Sequence, residues 1–285
     1  MHWIWKKGYA DDGKDPLPDK SEFVLSLFEQ IMQDDLKAQH RSIIDRCVQA
    51  VYRPYIASGY KGDAPTLTNL QAEIKRQPEP EAQELALAAE LFISGSLSIF
   101  AQKTNVDQNN RLTSYNILDL GEQLLPMGML VILESIYNRV IQNWRAGRRT
   151  WVFVDEFSIF FRYPFATNFF LRMWKQVRKR AGYMTGITQN VGEMLTSKDA
   201  CWMLANSEFL IMLSQSASDR AALAELLNIS DTQLSYVENA DPGCGLMKFG
   251  GAFIPFVNSF PEDTELYKLM TTKPADREQV KPHGV

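Results

Sequence analysis

Two adjacent carboxylates, Asp155 and Glu156, follow directly on the bulky apolar run Trp151-Val152-Phe153-Val154. The run reads as a strand buried on both faces, as in a parallel sheet covered by helices. Charges are expensive to desolvate, so a buried strand seldom ends in Asp-Glu without a use for the pair. At the carboxyl end of a parallel strand both side chains face the ligand crevice. The chemistry on offer is that of a Walker B segment, in which the Asp holds Mg²⁺ through water and the Glu polarises the water that attacks a γ-phosphate. A strand exit merely solvated by two acids accounts for the same residues without chemistry.

A second polar pair ends the next predicted strand, Met184-Thr185-Gly186-Ile187-Thr188-Gln189-Asn190. Strand ends of a parallel sheet share one rim, which would place carboxylates and amides in one crevice. In RecA-like nucleotide hydrolases a polar residue beside Walker B senses the γ-phosphate or orients water, a role that Gln189 fits. Thr188 and Asn190 flank it as candidate nucleotide contacts, alongside Asp155. Asn190 also serves as a plain helix cap, and Gln189 as a residue that satisfies loop backbone. Arg178 and Arg180 close a basic helix end, and Arg220 opens a helix, where a cation opposes the dipole. Each is a candidate finger toward a neighbouring subunit's nucleotide, and each is equally a solvated surface charge. No G-x-x-x-x-G-K-[ST] occurs in the chain. Gly13-Lys14 lies among acids that would repel phosphate, so the chain alone is expected to bind ATP poorly and to hydrolyse it little.

Positioning these residues requires an α/β core. Strands and helices alternate from Ser114 to Leu227, which predicts a parallel sheet. Tyr115–Leu120, Trp151–Val154, Met184–Asn190 and Glu208–Leu213 read as strands. A long amphipathic helix from Gly121 or Leu124 to Asn143 and another over Thr167–Ala181, closed by Gly182, connect them. A hairpin on Gly250-Gly251 follows. The earlier part reads as helical. Asp19 caps a helix with Glu22, Ser42–Tyr52 ends at Arg53-Pro54, and Thr66 or Thr68 opens a helix through Ile74. Pro80 opens another that closes at Gly95. The expected division is an N-terminal loop over 1–18, a helical subdomain over 19–113, an ATPase core over 114–270 and a loose tail over 271–285.

The 285 residues, 45% hydrophobic and 22% charged, suit a large globular core. The net charge of −4 leaves polyanion binding to a local patch. Cys47, Cys201 and Cys244 form no CxxC pair, and His2, His40 and His283 are scattered, so no zinc site assembles. The cysteines suit a reducing, cytoplasmic setting. No run is long enough to span a bilayer, and residues 1–7 lack a signal peptide's apolar core.

One set of segments recurs together: Gln77-Pro78-Glu79-Pro80-Glu81-Ala82-Gln83, Thr104-Asn105-Val106-Asp107, Trp151 to Phe157, Gly186 to Asn190, Leu204 to Phe209 and Leu227-Asn228-Ile229-Ser230. In this the chain resembles the C-terminal ATPase domain of the conjugal-transfer ATPases of type IV secretion systems, the TrbE/TrsE-like class of Gram-positive conjugative elements. The resemblance runs from about Asp15 to Pro274. It implies a RecA-like P-loop core related to the HerA/FtsK branch, working with ATP and Mg²⁺ as a homo-oligomeric, hexameric ring. Such a ring sits peripherally at the inner face of the cell membrane, docks on secretion-channel and coupling proteins, and powers export of DNA or protein. By motif position Asp155 is the Mg²⁺-side acid, Glu156 the catalytic base and Gln189 the sensor, with Arg178, Arg180 and Arg220 as finger candidates. The family's phosphate loop and first strands are expected to precede this chain, which therefore reads as truncated. A non-catalytic ring-forming or partner-binding module, and a HerA/FtsK-like DNA translocase fragment, are the competing expectations.

Overall fold

The computed structural model describes residues 15, 17–102, 110–117, 119–189, 191–258 and 260–271. They form two compact units: the chain up to Asp155 with Arg162–Ile187, and Glu156–Phe161 with Thr188 onward. The predicted N-terminal loop and C-terminal tail fall almost wholly outside the described residues, as does Thr104–Asp107.

The first unit opens with helices. The first, α1 (Leu17–Met32), starts earlier than expected because the Asp15 carboxylate, not Asp19, accepts from the Leu17 amide at 3.0 Å. Asp19 instead lies in the first turn, where its charge suits the dipole. The second, α2 (Ala38–Ala57), runs through Pro54 rather than ending before it. Its last turn stays satisfied, since Ser58 donates to the Pro54 carbonyl at 3.0 Å and Tyr60 to that of Tyr55 at 3.1 Å. Next come α3 (Leu67–Ile74), capped at Thr66, and α4 (Pro80–Ile93), which opens on its proline as predicted. Phe28, Ile44, Val48, Ile74 and Leu85 share one fully dry core among these helices.

The strand expected at Tyr115–Leu120 is absent. Residues 113–117 are irregular and the Leu120 amide closes a turn on Ile117 at 3.2 Å, while Leu118 lies outside the described residues. No described strand offers a ladder there. The Tyr115 hydroxyl meets that of Ser135 at 3.0 Å on the next helix, α5 (Leu125–Arg145).

After α5 come β1 (Thr150–Val154), α6 (Pro164–Gln176) with a 3₁₀ turn over Val177–Arg180, and β2 (Gly182–Gly186). The two strands pair in parallel, from Thr150↔Gly182 to Val154↔Gly186, with the intervening helix as crossover. The ladder ends before the predicted Gln189-Asn190, although Ile187 still donates to the Val154 carbonyl at 2.8 Å. The left-handed residue that closes the crossover is Ala181, at φ +50°, and not Gly182. Gly182 is small for another reason: a Cβ there would stand 2.3 Å from Val177 Cγ2.

The two-sided burial expected of β1 is half met. Val152 and Val154 are buried, while Trp151, Phe153 and Tyr183 are 55%, 67% and 44% exposed. Helix α5 packs on β1.

The second unit begins at Glu156, takes in most of the 3₁₀ turn Phe157–Arg162, and continues with α7 (Val191–Leu195), α8 (Lys198–Ala205), β3 (Phe209–Met212), α9 (Ala217–Leu227) and α10 (Asp231–Leu234). The hairpin β4 (Cys244–Phe249) and β5 (Ala252–Val257) turns at Gly250-Gly251 as predicted, and α11 (Glu265–Met270) follows. β3 does not extend a parallel sheet. It pairs antiparallel with β4, Phe209 opposite Phe249, in the order β3-β4-β5. Met212 and Leu246 face a small core with Leu223, Ile229 and Val237, so the hairpin supplies the ladder that β3 needs.

Lys20 is a buried cation between α1 and α5. It lies 5.0 Å from the centre of the Phe23 ring and 5.6 Å from that of Tyr52. Burial pushes its pKa from 10.5 down to about 7, opposed by the nearby Glu134 carboxylate, whose own pKa burial raises. Above about pH 7 the folded chain has lost this proton while the unfolded chain keeps it to about 10.5. Stability therefore rises with pH across that window, by at most about 1.4 kcal/mol per unit. Urea melts at stepped pH are expected to show this rise, and Lys20→Met is expected to flatten it.

Candidate functional site

Asp155 is the first residue past β1 and is exposed at the carboxyl end of the parallel pair. The next residue, Glu156, is half-buried and adopts φ +48°. A left-handed backbone costs a side-chain-bearing residue about 1 kcal/mol, so the surroundings must hold it there. Two contacts do so. The Ile159 amide closes on the Glu156 carbonyl at 3.0 Å, starting the 3₁₀ turn that buries Phe157 and Phe160. The Gln189 side-chain amide donates to Glu156 Oε1 at 3.0 Å. A hydrogen bond to an ionised carboxylate is stronger than a neutral one and orients both groups.

The second unit thus brings Glu156 and Gln189 together, although 32 residues separate them in the chain. Thr188 is half-buried beside Gln189. Asn190 lies outside the described residues. Sequence reasoning passed over Ser158, whose hydroxyl is fully buried with no hydrogen-bond partner among the described residues. A lone hydroxyl inside the aromatic run Phe157-Ser158-Ile159-Phe160-Phe161 was the available signal. A buried hydroxyl left unmet costs about 1–3 kcal/mol.

The arginine candidates lie elsewhere. Arg178 and Arg180 belong to the turn before β2, at the amino end of the strand pair. Five residues of strand, about 15 Å at the usual rise, separate that rim from Asp155. Neither arginine reaches the Asp155 end of its own sheet. Arg178 is exposed with no side-chain partner among the described residues, and Arg180 lies 5.6 Å over the Tyr137 ring of α5. Arg220 is tied down in the second unit. Its guanidinium donates to Glu238 Oε1 at 2.7 Å and to the Gln215 carbonyl at 3.2 Å. Those acceptors answer the unfavourable helix dipole at the start of α9, whose cap is Ser216.

Among the described residues no group of three His, Cys, Asp or Glu side chains could cage a metal. One exposed carboxylate at a strand end fits Mg²⁺ held mainly by water and nucleotide oxygens, which needs no cage.

No family model matches the chain, and no curated protein matches it in sequence. Among solved structures, VirB4 of Thermoanaerobacter pseudethanolicus superposes with a TM-score of 0.71 at 20% identity, covering 88% of this chain and 71% of that one. The bacterial conjugative coupling protein TrwB, in a form with sulphate, gives a TM-score of 0.48 at 12% identity over the same shares. TrwB with the non-hydrolysable GTP analogue GDPNP gives 0.47 at 12% identity, again over 88% and 71%. The chain has the α/β fold of VirB4.

The strain at Glu156 is measurable. Glu156→Ala and Glu156→Gly both lose the Gln189 bond, but only glycine relieves the left-handed backbone. The glycine variant is expected to be the more stable by about 1 kcal/mol in denaturant melts, and equal stability would count against the strain.

Proposed function

We propose that the chain is the C-terminal part of an ATPase of the type IV secretion and conjugal-transfer kind, and that it carries the hydrolytic half of a nucleotide site. The observation that supports this most is Glu156, held in a strained backbone and oriented by Gln189 at 3.0 Å. Strain of this sort persists where the surroundings over-determine it, commonly at functional sites. A carboxylate fixed by a neutral amide directly after a strand-end aspartate is suited to accept a proton from water as that water attacks phosphorus. Gln189, bonded to Glu156 through its NH₂, keeps its carbonyl oxygen to orient the same water. Asp155 would hold Mg²⁺ through water, and Thr188 and Asn190 would contact the nucleotide. When bound, the metal would neutralise charge developing on the phosphates.

In this reading residues 19–113 form a helical subdomain and 114–270 the ATPase core. The chain contains no glycine-rich phosphate loop, so ATP binding requires donors from another polypeptide segment. The amino-rim position of Arg178 and Arg180 suits fingers that serve a neighbouring subunit in a ring. The ion pair of Arg220 with Glu238 makes it the weakest candidate of the three. The ring would be a homo-oligomer, hexameric by resemblance, acting on secretion-channel and coupling partners with DNA or protein as cargo. It would associate with the membrane only peripherally; no described helix is long and apolar enough to cross one. The missing phosphate loop also supports a second reading, a ring-forming module that never hydrolyses ATP.

Mg²⁺-dependent ATP turnover separates these readings. The chain alone is expected to show none. Joined to a segment that bears a G-x-x-x-x-G-K-[ST] loop, it is expected to turn over, with Glu156→Gln reducing kcat by about 10²-fold or more. Turnover by the chain alone that Glu156→Gln abolishes would overturn its incompleteness. A completed chain that stays inactive would leave the non-catalytic module standing.

A further inference from the structure

The amino rim of the β1–β2 pair carries more positive charge than the two finger candidates, Arg178 and Arg180, account for. Between Ser135 and Gly192 the only acids are Asp155 and Glu156, set against ten cations. That stretch is strongly positive in a chain of net charge −4. The parallel register concentrates six of the cations at one end. Arg145, Arg148 and Arg149 lead into Thr150, while Arg178, Lys179 and Arg180 lead into Gly182, and Thr150 pairs with Gly182. Neighbouring strands lie about 5 Å apart, so the two basic turns adjoin. Arg148, Arg149, Arg178 and Lys179 are exposed and have no side-chain partner among the described residues. Helix ends need one or two cations to complement a dipole; this rim has more, and Arg148, Arg149, Arg178 and Lys179 have no acidic partner among the described residues.

One register step along the strands stands a flat aromatic pair. Trp151 and Tyr183 are cross-strand partners, with centroids 5.0 Å apart and planes 17° from parallel. Both are substantially exposed. Trp144, also exposed, lies at the end of α5 beside the same rim. A line of cations beside stacked, accessible rings is the chemistry that recognises a single nucleic-acid strand: guanidinium and ammonium groups follow the phosphates, and unpaired bases stack on the rings. A duplex hides its base faces and cannot use the rings.

We propose that the amino rim of the β1–β2 pair, with its Trp151–Tyr183 platform, binds single-stranded nucleic acid at a site separate from the carboxylates. The site stands whether or not the chain hydrolyses ATP, and its test contains no nucleotide.

Binding of a short fluorescein-labelled oligothymidylate to the full chain is read by anisotropy. Four unpartnered cations predict an affinity that falls roughly 50-fold between about 50 and 200 mM salt. Arg148→Glu with Lys179→Glu is expected to weaken binding by about 10-fold or more and to flatten the salt dependence. Trp151→Ala is expected to weaken it by about 5-fold or more, with Trp151→Phe largely restoring it. Arg53→Glu, on α2, serves as the charge control and is expected to leave binding unchanged. Circular dichroism checks that each variant stays folded. The proposal is overturned if wild type shows no salt-dependent binding, or if Arg53→Glu weakens it as much as the rim variant. It is overturned too if duplex binds as tightly as the single strand, or if phosphatidylglycerol vesicles bind the rim while the oligonucleotide does not.

Discussion

Parallel pairing of Thr150–Val154 with Gly182–Gly186 is the constraint on which the chemistry of the first unit depends. Parallel strands run in one direction, so residues that follow them gather at one rim and residues that precede them at the other. Asp155 thus exits at one end, while the basic turns before Thr150 and Gly182 meet at the opposite end. The separation of the acid from Arg178 and Arg180 is a consequence of topology and needs no particular side-chain rotamer. Gly182 protects this arrangement at the packing level, because any side chain there would collide with Val177 and push β2 off its register.

The second unit holds the other half of the chemistry by different means. Glu156 leaves the strand in a left-handed conformation and at once enters a 3₁₀ turn, anchored by the buried rings of Phe157 and Phe160. The turn aims the carboxylate and the Gln189 amide holds it. Burial of two phenylalanines at about 2 kcal/mol each readily outweighs a backbone strain near 1 kcal/mol, so the conformation is stable without being intrinsically favoured.

Lys20 and Arg220 show how context revises the meaning of a charge. Lysine is a residue type almost never fully buried unless paired, and Lys20 lies near the start of α1. It is instead buried beside two rings and near Glu134, where desolvation outweighs the attraction of the carboxylate. Arg220 reads as misplaced at a helix start. It proves to be held by Glu238 and the Gln215 carbonyl, an interaction worth only about 0.2–1 kcal/mol at this degree of exposure. Its position is explained by local structure.

The sequence by itself determined the elements whose signals are local. Thr66, Pro80 and Gly250-Gly251 marked helix starts and a turn through backbone chemistry alone, and the run ending in Asp155-Glu156 marked a strand with polar groups at its exit. It also excluded a phosphate loop, since that motif is contiguous. Tertiary structure decided what depends on partners distant in the chain. Tyr115-Asn116-Ile117 have strand-like residues but no ladder to join among the described residues, so they stay irregular. The segment Phe209–Met212 fits a parallel or an antiparallel neighbour equally well, and the hairpin settled it as antiparallel. The alternation of exposed Trp151 and Phe153 with buried Val152 and Val154 follows from which face α5 covers. The left-handed turn at Glu156 and its bond to Gln189 had no readable sequence signature, because backbone conformation and hydrogen-bond partners arise only once separated segments pack. Residue types name a chemistry from the sequence; distance and orientation come from the fold.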